Sequence, residues 1–561
     1  MQKLFWPVLL IALLAIGLLL VPWQWYPREW RVWYAKTFGA SGYIEQPATI
    51  PARPAPVSDV EEPCPPDIKG WRNAQTIEGV EIARSPDCLA DNPSAVAAFV
   101  KGTNNVGHGT LMNARLSPDA VVLGRDLDGD GDPDEVHIRL EVYELNGASP
   151  DINEPVVQYA IAPGIKPALW VFAPKSIDMS TENFESRVAQ PGLRLPSPVI
   201  RVEQGDIVKV TLENTHYMQH TIHFHGVDHP FLDCDGEGND GVPCTSEMPV
   251  MPGKQRTYEM QPRHAGTMFY HCHVEVQAHV LMGLNGLFVV EENRPNNWVQ
   301  TLNVGAGLVR HSSVAVKEKY DREYDLHYQD IDKDLSAMVE SSNDPRIVTQ
   351  RVHREYDISQ AHYEYYTLNG HSFPYTARDS LIVTAPDEHI KLRVVNAGSQ
   401  GVALHTHGHK VTITDQDGVA SPEPVRVTRD VVWIATAQRV DLDLWTKNDG
   451  LHSYGAGVWM LHDHQERAVT TNGFSPGGNM SAIVYERFLQ DDGWPMTFGH
   501  DWSDYLTPGF YDRRDKSGST ELLPGVAKPG WYGVRIGLLA VILGVVVGLL
   551  AIRIYLGRRR D

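Results

Sequence analysis

The chain has 561 residues, 42% of them hydrophobic and 21% charged, and carries a formal net charge of −21. That length is too great for one core and points to two or three domains. The acidic balance excludes nucleic acid as a natural partner and favours cations or neutral molecules over anions.

Residues 4–22, LFWPVLLIALLAIGLLLVP, are free of charge. They are long enough to cross a bilayer core of about 30 Å. A cleaved signal peptide is the competing reading, but no small-x-small cleavage site follows, and the Trp and Tyr of VPWQWYPREW suit a membrane interface. A second apolar run, residues 536–552, has Arg535 and Arg553 at its rims and sets a predicted span over 533–553. With Lys3 before the first run and Arg558, Arg559 and Arg560 after the second, the positive-inside tendency predicts a membrane-anchored chain with two spans, both termini cytoplasmic and the bulk periplasmic.

Residues 40–135 form a stalk and N-terminal extension, rich in Pro, Ala and Glu at its start. It ends in DLDGDGDPDE, which sets Asp126, Asp128, Asp130, Asp132 and Asp134 at alternate positions with Gly131 at the turn. This resembles the start of a calcium loop, although His137 stands at the twelfth position instead of Glu. A solvated acidic turn is the alternative. Of the five cysteines, Cys64 with Cys88 and Cys234 with Cys244 pair by proximity, one of three possible pairings, and Cys272 is left over.

Short β-rich runs separated by Gly, Pro and Asn then dominate residues 136–293 and again 305–490, followed by a linker over 491–530. The spacing predicts an all-β chain of two Greek-key sandwiches. The two series align: each has an HxHG run, a turn region and an aromatic-x-x-HxH run, which marks an internal duplication of about 150 residues per unit.

Eight histidines fall in four HxH pairs: His223/His225, His271/His273, His405/His407 and His462/His464. One such pair is ordinarily a strand with two solvent-facing imidazoles, but four pairs at matching places in two repeats form a cluster of neutral nitrogen donors. Each pair shares one strand face. Imidazole suits copper, zinc, iron and nickel. Cys272, between His271 and His273, points to the opposite face; His220 lies three residues before His223 in HTIHFHG, and His279 lies beyond Cys272. Two histidines and a thiolate with a weak axial position define a blue-copper electron-transfer site.

Together with PSPVIRVEQGDIVKVTLEN, DGVPCTSEMPVMPGKQRTYEM, GTMFYHCH and YTLNGHSFP, these motifs resemble the multicopper oxidases over roughly residues 137–490. The resemblance implies two cupredoxin-like domains and four coppers per chain. His220, Cys272 and His279 would hold the type 1 copper. His223 and His405 would hold type 2, and His225, His271, His273, His407, His462 and His464 the type 3 pair. It further implies a reaction with dioxygen, a donor that is a metal ion, a phenol or a redox protein, and a homotrimer that builds each trinuclear centre between subunits.

Five residues, Val274 to Ala278, separate His273 from His279 where laccases usually have three, so the type 1 loop is longer. The axial position falls on Leu284, with Met282 as the alternative. Asp463 and Val402 stand where the first repeat has Cys272 and His220, so the second repeat lacks a type 1 site. Asp228, three residues after His225, is the candidate proton-relay acid. A copper nitrite reductase and a non-enzymatic copper or electron-transfer protein are the competing functions, told apart by two coppers or a variable number per chain.

Overall fold

The computed structural model describes residues 75–77, 80–82, 119–147, 159–175, 194–295, 302–303, 307–308, 319–490, 493–498 and 500–512. Residues 50–500 form one compact unit, and within it two β-sandwiches follow one another along the chain.

In the first sandwich, one sheet orders Val121–Leu123, Glu135–Leu145, Ile207–Glu213 and Gln255–Met260, with Leu169–Pro174 on the second of these. The facing sheet orders Leu302–Asn303, Val199–Glu203, Asn285–Glu291, Gly266–His271 and His223–His225. The alternation of Glu135–Leu145 explains its place: Val136, Ile138, Leu140 and Val142 are buried. They meet Ile200, Val202, Phe224, Tyr270 and Phe288 in one core. The sandwich begins at Val121, inside the stretch read from sequence as an extension.

The second sandwich repeats the plan. Arg322–Asp332, His389–Asn396, Arg439–Trp445 and Val411–Gln416 lead one sheet, and Ile382–Thr384, Ser481–Tyr485, Val458–Asp463, Val402–Thr406 and Val431–Ile434 make the other. The sheets are mixed. Glu135–Leu145 runs parallel to Ile207–Glu213, and Arg322–Asp332 runs parallel to His389–Asn396. Val199–Glu203 with Asn285–Glu291, and Ile382–Thr384 with Ser481–Tyr485, are parallel as well.

An apolar seam of Val199, Phe269, Leu287 and Val289 against Val395 and Ala397 joins the sandwiches. Beside it the fully buried Arg201 guanidinium donates to both carboxylate oxygens of Asp325, at 2.7 and 2.8 Å. Removing Arg201 would take the bidentate partner from the buried Asp325, whereas Arg201 also has Glu291 at 3.4 Å and Glu323 at 3.7 Å.

Helices interrupt the β pattern. Helix α1, Val276–Met282, sits between the last two long strands of the first sandwich. Helices α2, Lys333–Glu340, and α3, Pro345–Arg354, follow the first long strand of the second. Leu335 and Val339 of α2 and Val348 and Val352 of α3 share a core with Leu281, Met282 and Cys272 of the first sandwich. The chain is therefore mostly β with helical insertions. Asp501–Asp512, in a separate unit, carries two short 3-10 turns.

Two expectations are corrected here. The predicted localisation with two membrane spans does not stand: among the described residues no helix is long and apolar enough to cross a membrane. Segments 4–22 and 533–553 lie outside the described residues. The Cys234–Cys244 bridge does not form either, since both thiols are free and exposed. Cys234 belongs to a turn tied to the strand Gln255–Met260, its amide donating to Glu259 at 3.3 Å, while Cys244 lies in another turn with φ 72°. Cys64 and Cys88 lie outside the described residues.

Candidate metal centre

Two sites emerge, one on each face of the strand that ends at His271. On the inner face, Cys272 Sγ lies 3.6 Å from His220 Nδ1 and 3.4 Å from His279 Nδ1. All three side chains are completely buried. Burial above all drives the thiol up to about 12 and the His279 imidazole down to about 3, and with the neighbouring imidazoles holds His220 well below its ordinary range. The histidines thus offer free lone pairs, and a cation is what would bring the thiol to its thiolate form.

Local structure explains the trio. His220 is pinned by a two-way backbone exchange with Val250, at 3.1 and 2.9 Å. His279 rides on α1, which starts after Glu275 (φ 43°) and stops at Gly283 (φ 114°). The two additional residues of the loop are taken up by this helical turn. Leu284 and Met282 are both buried in the same core, and the Leu284 carbonyl accepts the Cys272 amide at 3.0 Å.

A polar chain unpredicted from sequence backs the trio. His220 Nε2 lies 2.9 Å from His216 Nδ1, and His216 Nε2 lies 3.7 Å from Glu144 Oε2. That carboxylate oxygen also accepts Trp170 Nε1–H at 2.8 Å and the Tyr217 hydroxyl at 2.5 Å. Trp170 stands edge-on to the rings of His216, His220 and His279. With Nδ1 of His220 directed to the thiol, its Nε2–H donates to His216, which sets the tautomer and the ring plane.

On the other face stand two histidine quartets of nearly the same geometry. In the first, register opposes His223 to His271, and in the second His405 to His462. Ring centroids of His223 and His271 are 5.6 Å apart, as are those of His405 and His462. The His223–His273 and His405–His464 separations are both 5.4 Å. His225 Nε2 faces His271 Nε2 at 2.9 Å, and His407 Nε2 faces His462 Nε2 at 3.2 Å.

Backbone carbonyls aim these rings. The Nδ1–H groups of His223, His271, His405 and His462 donate to the carbonyls of Asp240, Cys272, Asp430 and Asp463, at 2.6, 2.8, 2.9 and 2.9 Å. Each Nε2 is left with a lone pair toward its quartet. Burial and the neighbouring imidazoles keep His225 at about 4 and His271 at about 3, and lower His407 and His462. Neutral nitrogens pointing at one another fit a shared cation. Among the described residues ring contacts run within each quartet and none runs from one quartet to the other.

The remaining candidates separate clearly. Asp228 is engaged by Arg263, through the guanidinium at 2.8 Å and the amide at 2.9 Å. A carboxylate that reaches the first quartet is Asp240, whose Oδ1 lies 3.3 Å from His223 Nδ1 and 3.2 Å from His229 Nε2, and at the second Glu466 Oε1 lies 3.6 Å from His464 Nδ1. Asp240 ends an acidic loop that also holds Asp233, Asp235 and Glu237. In the structure Arg256 neutralises Asp233 and Glu237, at 3.0 and 2.7 Å. Asp463 accepts the Ala403 amide at 2.9 Å and so ties two strands of the second quartet together.

Two multicopper oxidase profiles match this chain, over residues 178–295 and 347–475. Over these two segments the chain is similar to the multicopper oxidases. An iron transport multicopper oxidase of Gibberella zeae is 25% identical over 54% of this chain and 46% of its own length. Copper resistance protein A of Pseudomonas syringae pv. tomato is 26% identical over 44% of this chain and 41% of its own. The chain thus spans less than half the length of these curated relatives. The crystal structure of a blue copper oxidase from Nitrosomonas europaea aligns at 26% identity with a TM-score of 0.45, covering 68% of this chain and 95% of that one. Copper is the cofactor that the multicopper oxidase family implies, and the nitrogen and sulfur donors described above suit it.

Proposed function

We propose that this chain is a multicopper oxidase that takes electrons singly from a donor at a type 1 copper held by His220, Cys272 and His279, and passes them to a trinuclear centre where dioxygen is reduced to water. In this reading His223 and His405 hold type 2 copper, and the other six quartet histidines hold the type 3 pair. The bound coppers would supply the one-electron redox chemistry, four per chain. Leu284 fills the axial position without coordinating, with Met282 as the alternative.

The observation that carries the reading is the pairing of a buried thiol with quartet members on both sides of it in sequence. Cys272 is bonded through the backbone to His271 and His273, so the two faces of one strand are joined by a short covalent path. The residues' own work is positional. His216 and Glu144 orient His220, four backbone carbonyls aim the quartet imidazoles, and burial keeps solvent from the thiol.

Each quartet by itself offers four histidines, and among the described residues no ring contact joins the two. This supports a homotrimer in which the first quartet of one subunit meets the second quartet of its neighbour, a head-to-tail contact that closes into a ring. The edge strand beside the second quartet, with Val431 and Trp433 exposed, offers an apolar surface for such a neighbour. Donor classes to test are iron(II), copper(I), phenols and redox proteins, the first two in keeping with the names of the relatives above.

Copper counting combined with oxygen uptake tests this reading. Four coppers per chain and one dioxygen consumed per four donor electrons are expected. Two coppers per chain with nitrite turnover would favour a nitrite reductase. Cys272→Ser is expected to lose the blue absorption and donor oxidation while retaining the quartet coppers. Retention of the charge-transfer band near ~600 nm, as expected of copper–thiolate bonding, would sink the type 1 assignment.

A further inference from the structure

The Cys272 trio is sealed from solvent. His220, Cys272 and His279 are completely buried, and His279 Nε2 is enclosed without a hydrogen-bond partner. A donor in solution therefore touches none of the three. Electron transfer across a gap falls steeply with its width, and rings in contact or joined by a hydrogen bond carry it best. The electron needs side chains that link His220 or His279 to the surface.

Trp170 and His216 pack on these two histidine rings and are themselves buried. Tyr217 packs on both Trp170 and His216 and is half-buried. The Tyr217 and His216 ring centroids are 4.0 Å apart, with the planes tilted by 36°. His216 Nδ1 in turn lies 2.9 Å from His220 Nε2. Tyr217, His216 and His220 thus form an unbroken line of ring contact and hydrogen bond from the surface to the trio. The Tyr217 hydroxyl donates to Glu144 at 2.5 Å, which holds the outer ring in this line.

Tyr217 also lines a groove of about 490 Å³ whose other wall is α3. From that helix Arg346, His353 and Arg354 line the groove, and no acidic side chain does. Arg346 is paired with Asp344 at 2.7 Å and His353 with Glu275, both from outside the lining. Among the described residues no carboxylate pairs with Arg354. In a chain of net charge −21 this groove is a local reversal of sign, and such a reversal gathers anions.

Resting on the type 1 reading of the trio given above, we propose that this groove is the donor site, that it takes a small anionic one-electron donor, and that the electron enters at Tyr217 and reaches His220 through His216. The donor loses one electron, the copper held by the trio gains it, and no atom or proton is transferred.

Anaerobic stopped-flow reduction of the copper-loaded full chain, followed by loss of its blue absorption, tests the route with reductants of opposite charge, ferrocyanide and hexaammineruthenium(II). Tyr217→Leu is expected to slow reduction by ferrocyanide about tenfold. Tyr217→Phe loses the same hydrogen bond to Glu144 but keeps the ring, and is expected to react at close to the wild-type rate. The wild-type rate in Tyr217→Leu, or a Tyr217→Phe chain as slow as Tyr217→Leu, would overturn the route. So would a copper potential lowered in Tyr217→Leu alone, since the slowing would then lie in the copper and not in the lost ring. Arg354→Glu is expected to slow ferrocyanide about tenfold and not to slow hexaammineruthenium(II); an equal effect on both would overturn the anionic donor. Calorimetric titration with hexacyanocobaltate(III), an inert anion of the same shape as ferrocyanide, is expected to show binding in the wild type that is lost in Arg354→Glu. Absence of that binding at millimolar concentration in the wild type would overturn the groove as an anion site. A wild-type chain loaded with copper that is not blue would defeat the type 1 reading and the route with it, whereas blue variants with unchanged rates defeat the route alone.

Discussion

At the scale of single residues, the quartets show how much of an imidazole's behaviour is set by atoms outside its own strand. The HxH spacing places two rings on one face, but the ring plane and tautomer come from carbonyls such as that of Asp240, brought in by a loop. This contact was not legible in the sequence, because it spans seventeen positions of irregular chain. Asp228 looked the better acid for its closeness to His225 along the chain, yet Arg263 engages both its oxygens and holds it below the usual carboxylate range. Asp228→Asn is therefore expected to leave reoxidation of the fully reduced protein by oxygen unchanged in stopped-flow mixing. Asp240→Ala keeps the carbonyl that accepts from His223 Nδ1 but removes the carboxylate facing His223 and His229, and is expected to weaken copper retention at the quartet by about 10–100-fold, the usual effect of losing such a supporting contact. Copper content after dialysis against graded chelator concentrations measures this.

At the scale of elements, the strands were readable because Val136, Ile138, Leu140 and Val142, and their counterparts in the second repeat, alternate with polar residues at period two. The helices were not anticipated. Helix α1 is a single short insertion between Glu275 and Gly283, too brief for a periodic signal. Helices α2 and α3 did carry a signal: Asp332 and Asp344 cap them by accepting from Asp334 and Arg346, and Pro345 opens α3. A reading attentive to Asp-Pro before an amphipathic stretch would have found α3.

The acidic loop supplies a prediction at this same scale. Burial first, then neighbouring carboxylates, raise Asp130 and Asp206 from 3.8 to about 8. Between those values the folded chain holds protons that the unfolded chain has released. Stability from this source is therefore complete below about pH 4 and lost as pH rises through about 8. Buried histidines contribute with the opposite sign at lower pH, so the comparison that isolates the loop is Tm against pH in the wild-type chain and in Asp130→Asn. The Asn variant is expected to gain on the wild type as pH rises from about 5 to 8, because it has no carboxylate to ionise in a buried place.

At the scale of the whole molecule, the duplicated quartets and the single thiol divide labour between the repeats. If subunits share each trinuclear centre, Cys272→Ser and His462→Ala chains are each inactive alone but complementary when mixed. Co-expression is expected to restore a fraction of wild-type oxygen uptake, because some interfaces then combine an intact first quartet and thiol with an intact second quartet. Absence of any recovery in a verified mixed oligomer would place both halves of the site within one chain.

Helices α2 and α3 bear on the order of assembly. The residues of the buried thiol trio are all synthesised by position 279, whereas the helices that share its core emerge only with residues 333–354. The metal pocket is thus sealed by a part of the chain made later than its ligands. If these helices cover the trio, copper entry into the finished fold requires their local opening. Val348→Ala with Val352→Ala, which removes buried methyl groups from α3, lowers the cost of that opening. The doubly substituted apoprotein is expected to take up copper(I) into the blue site about tenfold faster than wild type, since each ~1.4 kcal/mol taken from the opening is a factor of ten in rate. Its final absorbance should be the same. An unchanged rate would mean that copper reaches Cys272 by another route.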